Sequence, residues 1–276
     1  ARKMLKTEMR NKKTMNIDTM TTAEMLKIIN EENFNSVKAV EAAIPQIEKA
    51  CDAAAKAISN GGRIFYIGAG TSGRLGIIDA AECPPTFGVS QETVVGIIAG
   101  GYGSLIQASE GTEDNKTAGI ENFKAYSPTS NDILIGISAA GGAMYVVKAI
   151  EYAKSIGCIT VGITSNSGTL LDKTADISIV TDTGAEVVTG STRMKAGTAQ
   201  KLVLNMISTS AMIKTGKVYE NLMINLKPSN NKLKNRIITI VCDILGCEKE
   251  EAEKKLCDNN WNIRHTVGMK LQKRFA

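Results

Sequence analysis

Apolar residues recur along the chain in two rhythms, one typical of helices and one typical of buried strands. Between residues 35 and 60, apolar positions three and four residues apart predict a helix, which the glycine pair at 61–62 ends. A separate, earlier helix is expected to begin near Thr21, because Glu24 three residues later completes a capping-box pattern. Residues 1–20 show no strong period, so they are expected to form an irregular arm.

Five short apolar runs then predict strands, and helical patterns separate several of them. Because the strands are apolar on both faces and alternate with helices, they predict a three-layer αβα fold with a parallel sheet. Right-handed crossovers would place the strand-end loops at one edge, where ligands bind in open α/β sheets. The predicted strands are 63–67, 94–99, 132–138, 158–164 and 177–181, and the predicted helices between them are 104–108, 118–124 and 145–155.

The last third of the chain is predicted to be helical. A long helix is expected from about Thr192 or Met194 to about Gly216, and the composition changes after Pro228. Beyond that point, Lys- and Glu-rich amphipathic patterns predict three short helices, at 232–245, 249–258 and 262–273. We therefore predict two domains: residues 1–228, an α/β domain with an N-terminal helical arm, and residues 229–276, a small helical domain.

Composition narrows the function classes. The 276 residues are 43% hydrophobic, 22% charged and only 4% aromatic, which is typical of a soluble globular protein and argues against a base-stacking nucleic-acid platform. The net charge of +5 is mild. No apolar stretch of about 18 residues and no leader pattern occurs, so we expect no membrane span and a cytoplasmic location. With one histidine and no CxxC pair, we expect no zinc site.

The turn after the first predicted strand reads GAGTSGRLG, residues 68–76. Its glycines fit the GxGxxG pattern of dinucleotide sites, but the second strand ends without the expected ribose-binding carboxylate. Glycines let a backbone approach an anion closely, and hydroxyls and helix N-terminal amides donate to it. The turn predicts a metal-free phosphate site, with a plain strand-to-helix turn as the alternative. The candidate residues are Gly70, Thr71, Ser72 and Gly73.

Two further strand or helix ends carry hydroxyl groups. Ser138 follows the third predicted strand, and Ser191 and Thr192 open the predicted long helix within TGSTRMKAGTAQK, residues 189–201. This helix start could present free amides to an anion, or its hydroxyls could simply cap the helix.

Carboxylates occur in two motifs that could supply acid–base chemistry. Glu82 lies in DAAECPPTFG, residues 79–88, where two prolines predict a rigid turn, and a carboxyl buried there could act as a general acid or base. A surface glutamate is the alternative. The second motif is EGTED, residues 110–114, which is either a solvated face or the source of a second acid–base group. Its residue types do not choose among Glu110, Glu113 and Asp114.

Taken together, these motifs resemble the N-acetylmuramic acid 6-phosphate etherase family. The resemblance rests on GAGTSGRLGIIDAAECPPTFG (68–88), IAGG (98–101), EGTED (110–114) and GAEVVTGSTRMKAGTAQKLVLNM (184–206), and it covers nearly the whole chain. It implies a sugar isomerase (SIS) fold with a ubiquitin-associated-like C-terminal bundle. It also implies a homodimer that acts on a small sugar phosphate without metal or cofactor.

The resemblance further implies a reaction that removes the D-lactyl ether of N-acetylmuramic acid 6-phosphate by elimination and hydration. The products would be N-acetylglucosamine 6-phosphate and D-lactate, in the recycling of cell-wall sugars. Glu82 matches the family's acid for the departing lactate, and Glu113 matches its second acidic residue, with Asp114 as the secondary candidate. The hydroxyls expected to bind substrate or phosphate are Thr71, Ser72, Ser138, Ser191 and Thr192.

One loop departs from the family pattern. Family members usually read SASGRTPYV after the third strand, whereas residues 138–146 read SAAGGAMYV, with Gly142 in place of an arginine. This loss of donors predicts a weaker grip on the substrate. It leaves open a non-catalytic sugar-phosphate-binding regulatory protein of the same fold, and an aldose–ketose isomerase is a further alternative.

Overall fold

The computed structural model of the chain describes residues 4–108 and 111–268. They form two compact units: one comprises the chain up to residue 81 together with 92–211, and the other comprises 82–91 together with the chain from residue 212. The division predicted at residues 228 and 229 stays a prediction. Among the described residues, no helix is both long and apolar enough to cross a bilayer.

The first unit contains most of the predicted elements. Its helices and strands, some of which run on into the second unit, are α1 Thr22–Ser59, β1 Ile64–Gly68, α2 Gly70–Phe87, β2 Val94–Ile98, α3 Gly103–Ile106, α4 Ala118–Lys124, β3 Ile133–Ile137, α5 Met144–Ser155, β4 Ile159–Thr164, α6 Leu170–Thr174, β5 Ile177–Val180 and α7 Lys195–Lys214. Short 3₁₀ turns lie at Lys6–Glu8, Lys12–Thr14, Ile17–Thr19 and Thr112–Asp114.

Helix α1 is continuous over 38 residues, so the prediction of two separate helices is wrong. The predicted capping box is confirmed, because the Thr21 hydroxyl accepts from the Glu24 amide and the Glu24 carboxylate accepts from the Thr21 amide. Glu32 and Ser36 lie near the expected junction of the two helices, and both are buried and hydrogen-bonded. They form part of a buried polar face of one continuous helix.

The five strands form a parallel sheet in the order β2-β1-β3-β4-β5, as the pattern predicts. On one face, apolar side chains of β1 and β3 pack with those of α4 and α5 in a single buried cluster. Phe65, Leu134, Phe123, Val146 and Ile150 lie in this cluster and are almost fully buried.

The opposite face packs against α2 and α7. A methyl group at Gly76 of α2 would lie 2.9 Å from Cβ of Tyr66, so glycine permits a close approach of this helix to β1. The Tyr66 hydroxyl donates to Asp79 at 2.8 Å, and Asn205 of α7 donates to the same carboxylate at 2.6 Å. These bonds fix α2 and α7 against the sheet and complete the third layer.

Helix α2 continues through Pro84 and Pro85, which corrects the prediction of a rigid turn around Glu82. The prolines fall in the last turns of the helix, where two lost amide donors leave the carbonyls of Ala80 and Ala81 without their usual helical partners. The Thr86 hydroxyl donates to the Glu82 carbonyl at 2.7 Å, and the helix ends before Gly88.

The second unit contains a two-stranded antiparallel hairpin, β6 Val218–Tyr219 and β7 Leu222–Met223, followed by α8 Asn231–Leu245 and α9 Lys249–Asp258. Residues 263–268 are helical, and the rest of the predicted helix at 262–273 lies outside the described residues. The helices share one buried apolar cluster, which confirms a small helical bundle. Its members include Ile237, Val241, Ile244, Leu256 and Ile263.

Candidate functional site

A cleft of about 370 Å³ lies at the carboxyl ends of β1 and β3. The chain proceeds from β1 outward to β2 on one side and through β3, β4 and β5 on the other, so this cleft occupies the point where the strand order reverses. Six predicted site residues line it: Gly70, Thr71, Ser72, Glu113, Ser138 and Thr192. The lining does not include Gly73, Glu82, Asp114 or Ser191.

The turn between β1 and α2 is held by backbone packing. A Cβ at Gly73 would lie 2.6 Å from the Gly68 carbonyl oxygen and 2.6 Å from Cγ1 of Ile98, so no side chain fits there. Gly70 adopts a positive φ of 54°, which favours glycine. The first amides of α2 have no partners within their own helix and begin at this cleft, where they suit an anion.

The two serines of the cleft are hydrogen-bonded in opposite senses. The Ser72 hydroxyl donates to Oε1 of Gln200 on α7 at 3.0 Å. The Ser138 oxygen accepts from the Gly141 amide at 3.1 Å, which leaves the Ser138 proton available to a ligand.

Helix α7 begins at Lys195, one residue after the later of its two predicted starts. The Glu186 carboxylate, which is fully buried, accepts from the amides of Lys195 at 3.1 Å and Ala196 at 3.0 Å. These two amides are therefore bonded within the chain, and the alternative of free amides for an anion does not hold for them. Thr192 still lines the cleft, and a Cβ at Gly197 would lie 3.4 Å from the Thr71 methyl group.

Of the acidic cluster, Glu113 lines the cleft and Asp114 does not, while Glu110 lies outside the described residues. Glu113 sits in the 3₁₀ turn that follows Gly111, whose φ is 75°. Part of the preceding segment is held by Arg74 of α2, whose guanidinium donates to the carbonyls of Leu105 at 3.2 Å and Gln107 at 3.3 Å.

Glu82 lies twelve residues beyond Gly70 in the same helix, and its side chain is exposed. Of the two alternatives that the sequence leaves open, a buried carboxyl and a surface glutamate, the structure has the second. In the described parts of the chain, no group of three or more His, Cys, Asp or Glu side chains is placed to hold a metal ion.

A buried ion pair beside the start of α7 was not predicted. The Lys195 ammonium donates to the Glu32 carboxylate at 2.6 Å, and both side chains are at least 96% buried. Asn11 donates to the same carboxylate at 2.8 Å, and Lys13 lies 3.1 Å from it. Burial by itself would raise the pKa of Glu32, but these donors outweigh it and hold that pKa at about 2.

Comparison with known proteins supports the same fold. The SIS domain pattern matches residues 127–210, and the N-terminal SIS domain of glucokinase regulatory protein matches residues 46–154. Among solved structures, a phosphosugar isomerase described as involved in capsule formation, from Bacteroides fragilis NCTC 9343, is 21% identical with a TM-score of 0.51, covering 71% of this chain and 94% of that chain. Phosphoheptose isomerase GmhA from Neisseria gonorrhoeae, 17% identical with a TM-score of 0.52, covers 68% and 98%. The fold and the cleft at its strand ends define an SIS-domain protein.

Curated relatives specify the family. N-acetylmuramic acid 6-phosphate etherase from Clostridium beijerinckii is 51% identical over 271 residues, which cover 98% of this chain and 89% of the relative. The etherase from Cronobacter sakazakii is 47% identical over 267 residues, covering 97% and 90%. The chain belongs to the N-acetylmuramic acid 6-phosphate etherase family.

Proposed function

We propose that this chain cleaves the D-lactyl ether of N-acetylmuramic acid 6-phosphate, giving N-acetylglucosamine 6-phosphate and D-lactate. Family membership at about 50% identity over nearly the full length supports the substrate. The structural observation that carries the proposal is that one cleft holds both an anion-binding helix start and the Glu113 carboxylate. The reaction would serve the recycling of cell-wall sugars, and because a sugar phosphate does not cross a bilayer unaided, we place it in the cytoplasm.

The phosphate is proposed to bind at the start of α2. There the amides that follow Gly70 point along the helix axis, and the dipole of an 18-residue helix favours a negative charge. Thr71, Ser72, Ser138 and Thr192 line the same cleft, and their hydroxyls are the proposed donors. Ser191, outside this lining, is a further candidate donor. Gly73 contributes by letting the helix start pack directly on β1.

The chemistry needs one group that takes a proton and one that gives a proton. In the open-chain sugar, the aldehyde makes the proton on carbon 2 acidic, and a base removes it. The electron pair then forms a double bond between carbons 2 and 3, and the carbon 3–oxygen bond breaks as an acid protonates the lactate oxygen. Water next adds its hydroxyl to carbon 3 and a proton to carbon 2. This sequence needs no electron donor or acceptor, and we expect a chelator to leave the rate unchanged.

Glu82 is proposed as the acid that serves the departing lactate, and Glu113 as the second acid–base group, with Asp114 as its alternative. Glu82 is exposed and is not part of the lining of the cleft, so we propose that a second copy supplies it in a homodimer. Support for self-association comes from α1, which exposes four large apolar side chains that recur at helical spacing. They are Leu26, Phe34, Val37 and Ile44.

The proposed roles are tested by lactate release from purified protein. Glu82→Gln and Glu113→Gln should each lower kcat by at least about 100-fold, because a lost acid–base group typically costs 10²–10⁴-fold. Glu121→Gln, an exposed carboxylate on α4, serves as the control and should keep full activity. If Asp114→Asn and not Glu113→Gln abolishes turnover, the second role passes to Asp114.

Mixing the Glu82→Gln and Glu113→Gln variants under conditions of subunit exchange tests the shared site. Mixed dimers should recover activity, since one of the two clefts then combines both intact carboxylates. No recovery, despite proven exchange, would contradict the supply of Glu82 by a second copy.

Val37→Glu should convert the dimer to a monomer in light scattering.

The order of steps is tested with heavy-oxygen water. Hydration after elimination should place the label on carbon 3 of the product sugar, whereas label in the lactate would contradict this route. A chain that binds the sugar phosphate but releases no lactate would instead be a regulatory sugar-phosphate-binding protein. That alternative is favoured by the match of residues 46–154 to the SIS domain of glucokinase regulatory protein.

A further inference from the structure

Gln200 lies on α7, directly behind the cleft residue Ser72. Gln200 is only 1% exposed, and its Oε1 atom accepts a hydrogen bond from the Ser72 hydroxyl at 3.0 Å. Among the described residues, the Nε2 atom of the same amide has no hydrogen-bond partner. A buried amide donor without a partner costs free energy of the order of 1–3 kcal/mol, so the arrangement calls for an explanation.

The direction of this hydrogen bond also matters for the proposed ligand. A phosphate offers only acceptor oxygens to the cleft, so it needs hydroxyls that donate. While Ser72 donates its proton to Gln200, it presents only lone pairs to the cleft. Ser138 shows the opposite arrangement, because its oxygen accepts from the Gly141 amide and its proton stays available.

A carboxamide can reverse the direction of this hydrogen bond by turning over. If the Gln200 amide rotates by half a turn about its last side-chain bond, Nε2 takes the place of Oε1 and donates to the Ser72 oxygen. The Ser72 proton then points to the cleft, and Nε2 gains the partner that Oε1 gives up. Asparagine and glutamine amides can donate and accept without changing charge, which makes this residue type suitable for the role.

We propose that Gln200 is a positioning residue that sets the proton direction of Ser72, and that it changes from accepting to donating in this hydrogen bond when a sugar phosphate binds. The proposal rests on the sugar-phosphate function proposed above and adds to it a specificity device for anions. Gln200 itself does not line the cleft, so it acts through Ser72.

The test measures the Kd of the intact chain for N-acetylglucosamine 6-phosphate by calorimetry. Gln200→Met keeps the length of the side chain but cannot donate, and it should raise Kd about tenfold. Gln200→Leu also removes the donor and adds no charge, so it should raise Kd to a similar extent. Ser208→Ala, a buried polar position on the same helix, is the control and should leave Kd within twofold.

A double-mutant cycle separates positioning from a structural role. If Gln200 acts through the Ser72 hydroxyl, Gln200→Met should change Kd by less than about twofold in a Ser72→Ala background. Equal effects in both backgrounds would overturn the proposal. In turnover, Gln200→Met should raise KM about tenfold with kcat nearly unchanged, because the phosphate is bound equally tightly in the ground state and in the transition state.

The binding readout also keeps the two proposals apart. A chain that binds the sugar phosphate yet releases no lactate would contradict the etherase function, and the Kd cycle would still decide the role of Gln200. An unmutated chain that does not bind the sugar phosphate overturns both. Loss of folding in Gln200→Met, seen by circular dichroism, would be bypassed with Gln200→Leu, whose expected effect on Kd is similar.

Discussion

The starts of α2 and α7 have similar sequences and opposite structures. Both lie at stretches rich in glycine, serine and threonine: GAGTSG spans the start of α2, and TGSTRM directly precedes α7. The start of α2 lies at the cleft, among the lining residues Thr71, Ser72, Ser138 and Thr192. The start of α7 is closed by the protein itself, because Glu186 accepts from its first amides and Lys195 is tied to Glu32. A hydroxyl-rich helix start is therefore only a potential anion site, and it stays one only if no carboxylate elsewhere in the chain reaches it.

The largest expected effect comes from blocking the start of α2 with a carboxylate of the chain. Ser72→Asp places a carboxylate at the third residue of α2, where it should occupy the amides much as Glu186 does on α7. We expect sugar-phosphate turnover to fall at least about 1000-fold, while the free energy of unfolding stays equal or rises by up to about 1 kcal/mol. The assays are lactate release and urea unfolding, with Ser72→Ala, expected near tenfold, as the control. Retained activity would mean that the phosphate binds elsewhere.

At the start of α7, the largest loss of stability is expected from breaking the ion pair between Glu32 and Lys195. Glu32→Gln leaves the Lys195 ammonium buried without a counter-ion, which should cost about 3–5 kcal/mol in urea unfolding at pH 7. The pKa of Glu32 is lowered from 4.5 to about 2, so its contribution is complete above about pH 4.5 and is lost as the pH falls toward 2. The gap between the two proteins should therefore shrink across this window. A gap that is constant with pH would contradict the ion pair.

Removing the charge of Glu186 from the start of α7 should lower stability moderately and change activity little. Glu186→Gln keeps one acceptor oxygen but removes the charge from the first amides of α7, and we expect a loss of about 1–2 kcal/mol. KM should stay within twofold of the unmutated value, since these amides do not serve the substrate. A KM raised tenfold at unchanged stability would instead make the start of α7 part of the substrate site.

The smallest effect is expected from adding a positive charge at the rim of the cleft. Gly142 is exposed between the cleft residues Ala140 and Ala143, and no other atom lies within 4 Å of a Cβ built on it. Gly142→Arg therefore has room for a cation at the rim, and we expect KM to fall two- to fivefold, with Gly142→Ala unchanged. An unchanged KM in the arginine variant would show that the departure of this loop from its family pattern is harmless.

The sequence predicts the sheet well because its signals are local. Each of the five strands is an apolar run closed by glycine or polar residues, and the predicted bounds agree with the structure to within one residue. The rule that parallel strands end at one edge also brings Ser72, Glu113 and Ser138 to one cleft. The hairpin of β6 and β7 was not predicted, because two residues per strand form no recognisable period.

The rest could not be predicted because its determinants are distant in the chain. Glu32 and Lys195 are 163 positions apart, and Ser72 and Gln200 are 128 positions apart, so nothing in either neighbourhood indicates the partner. Helix α2 also continues through Pro84 and Pro85, although proline by itself disfavours the interior of a helix. Tertiary packing of the helix against β1 outweighs the two lost hydrogen bonds.

The contact between Gly68 and Gly73 has a consequence for the thermodynamics of ligand capture. Because no side chain fits between β1 and the start of α2, packing within the chain fixes the shape of the loop that is proposed to bind the phosphate. Its backbone entropy is lost during folding rather than at binding, so a larger share of the interaction energy becomes affinity. An alanine at either glycine would therefore weaken capture by displacing the loop, even though every donor group remained in the chain.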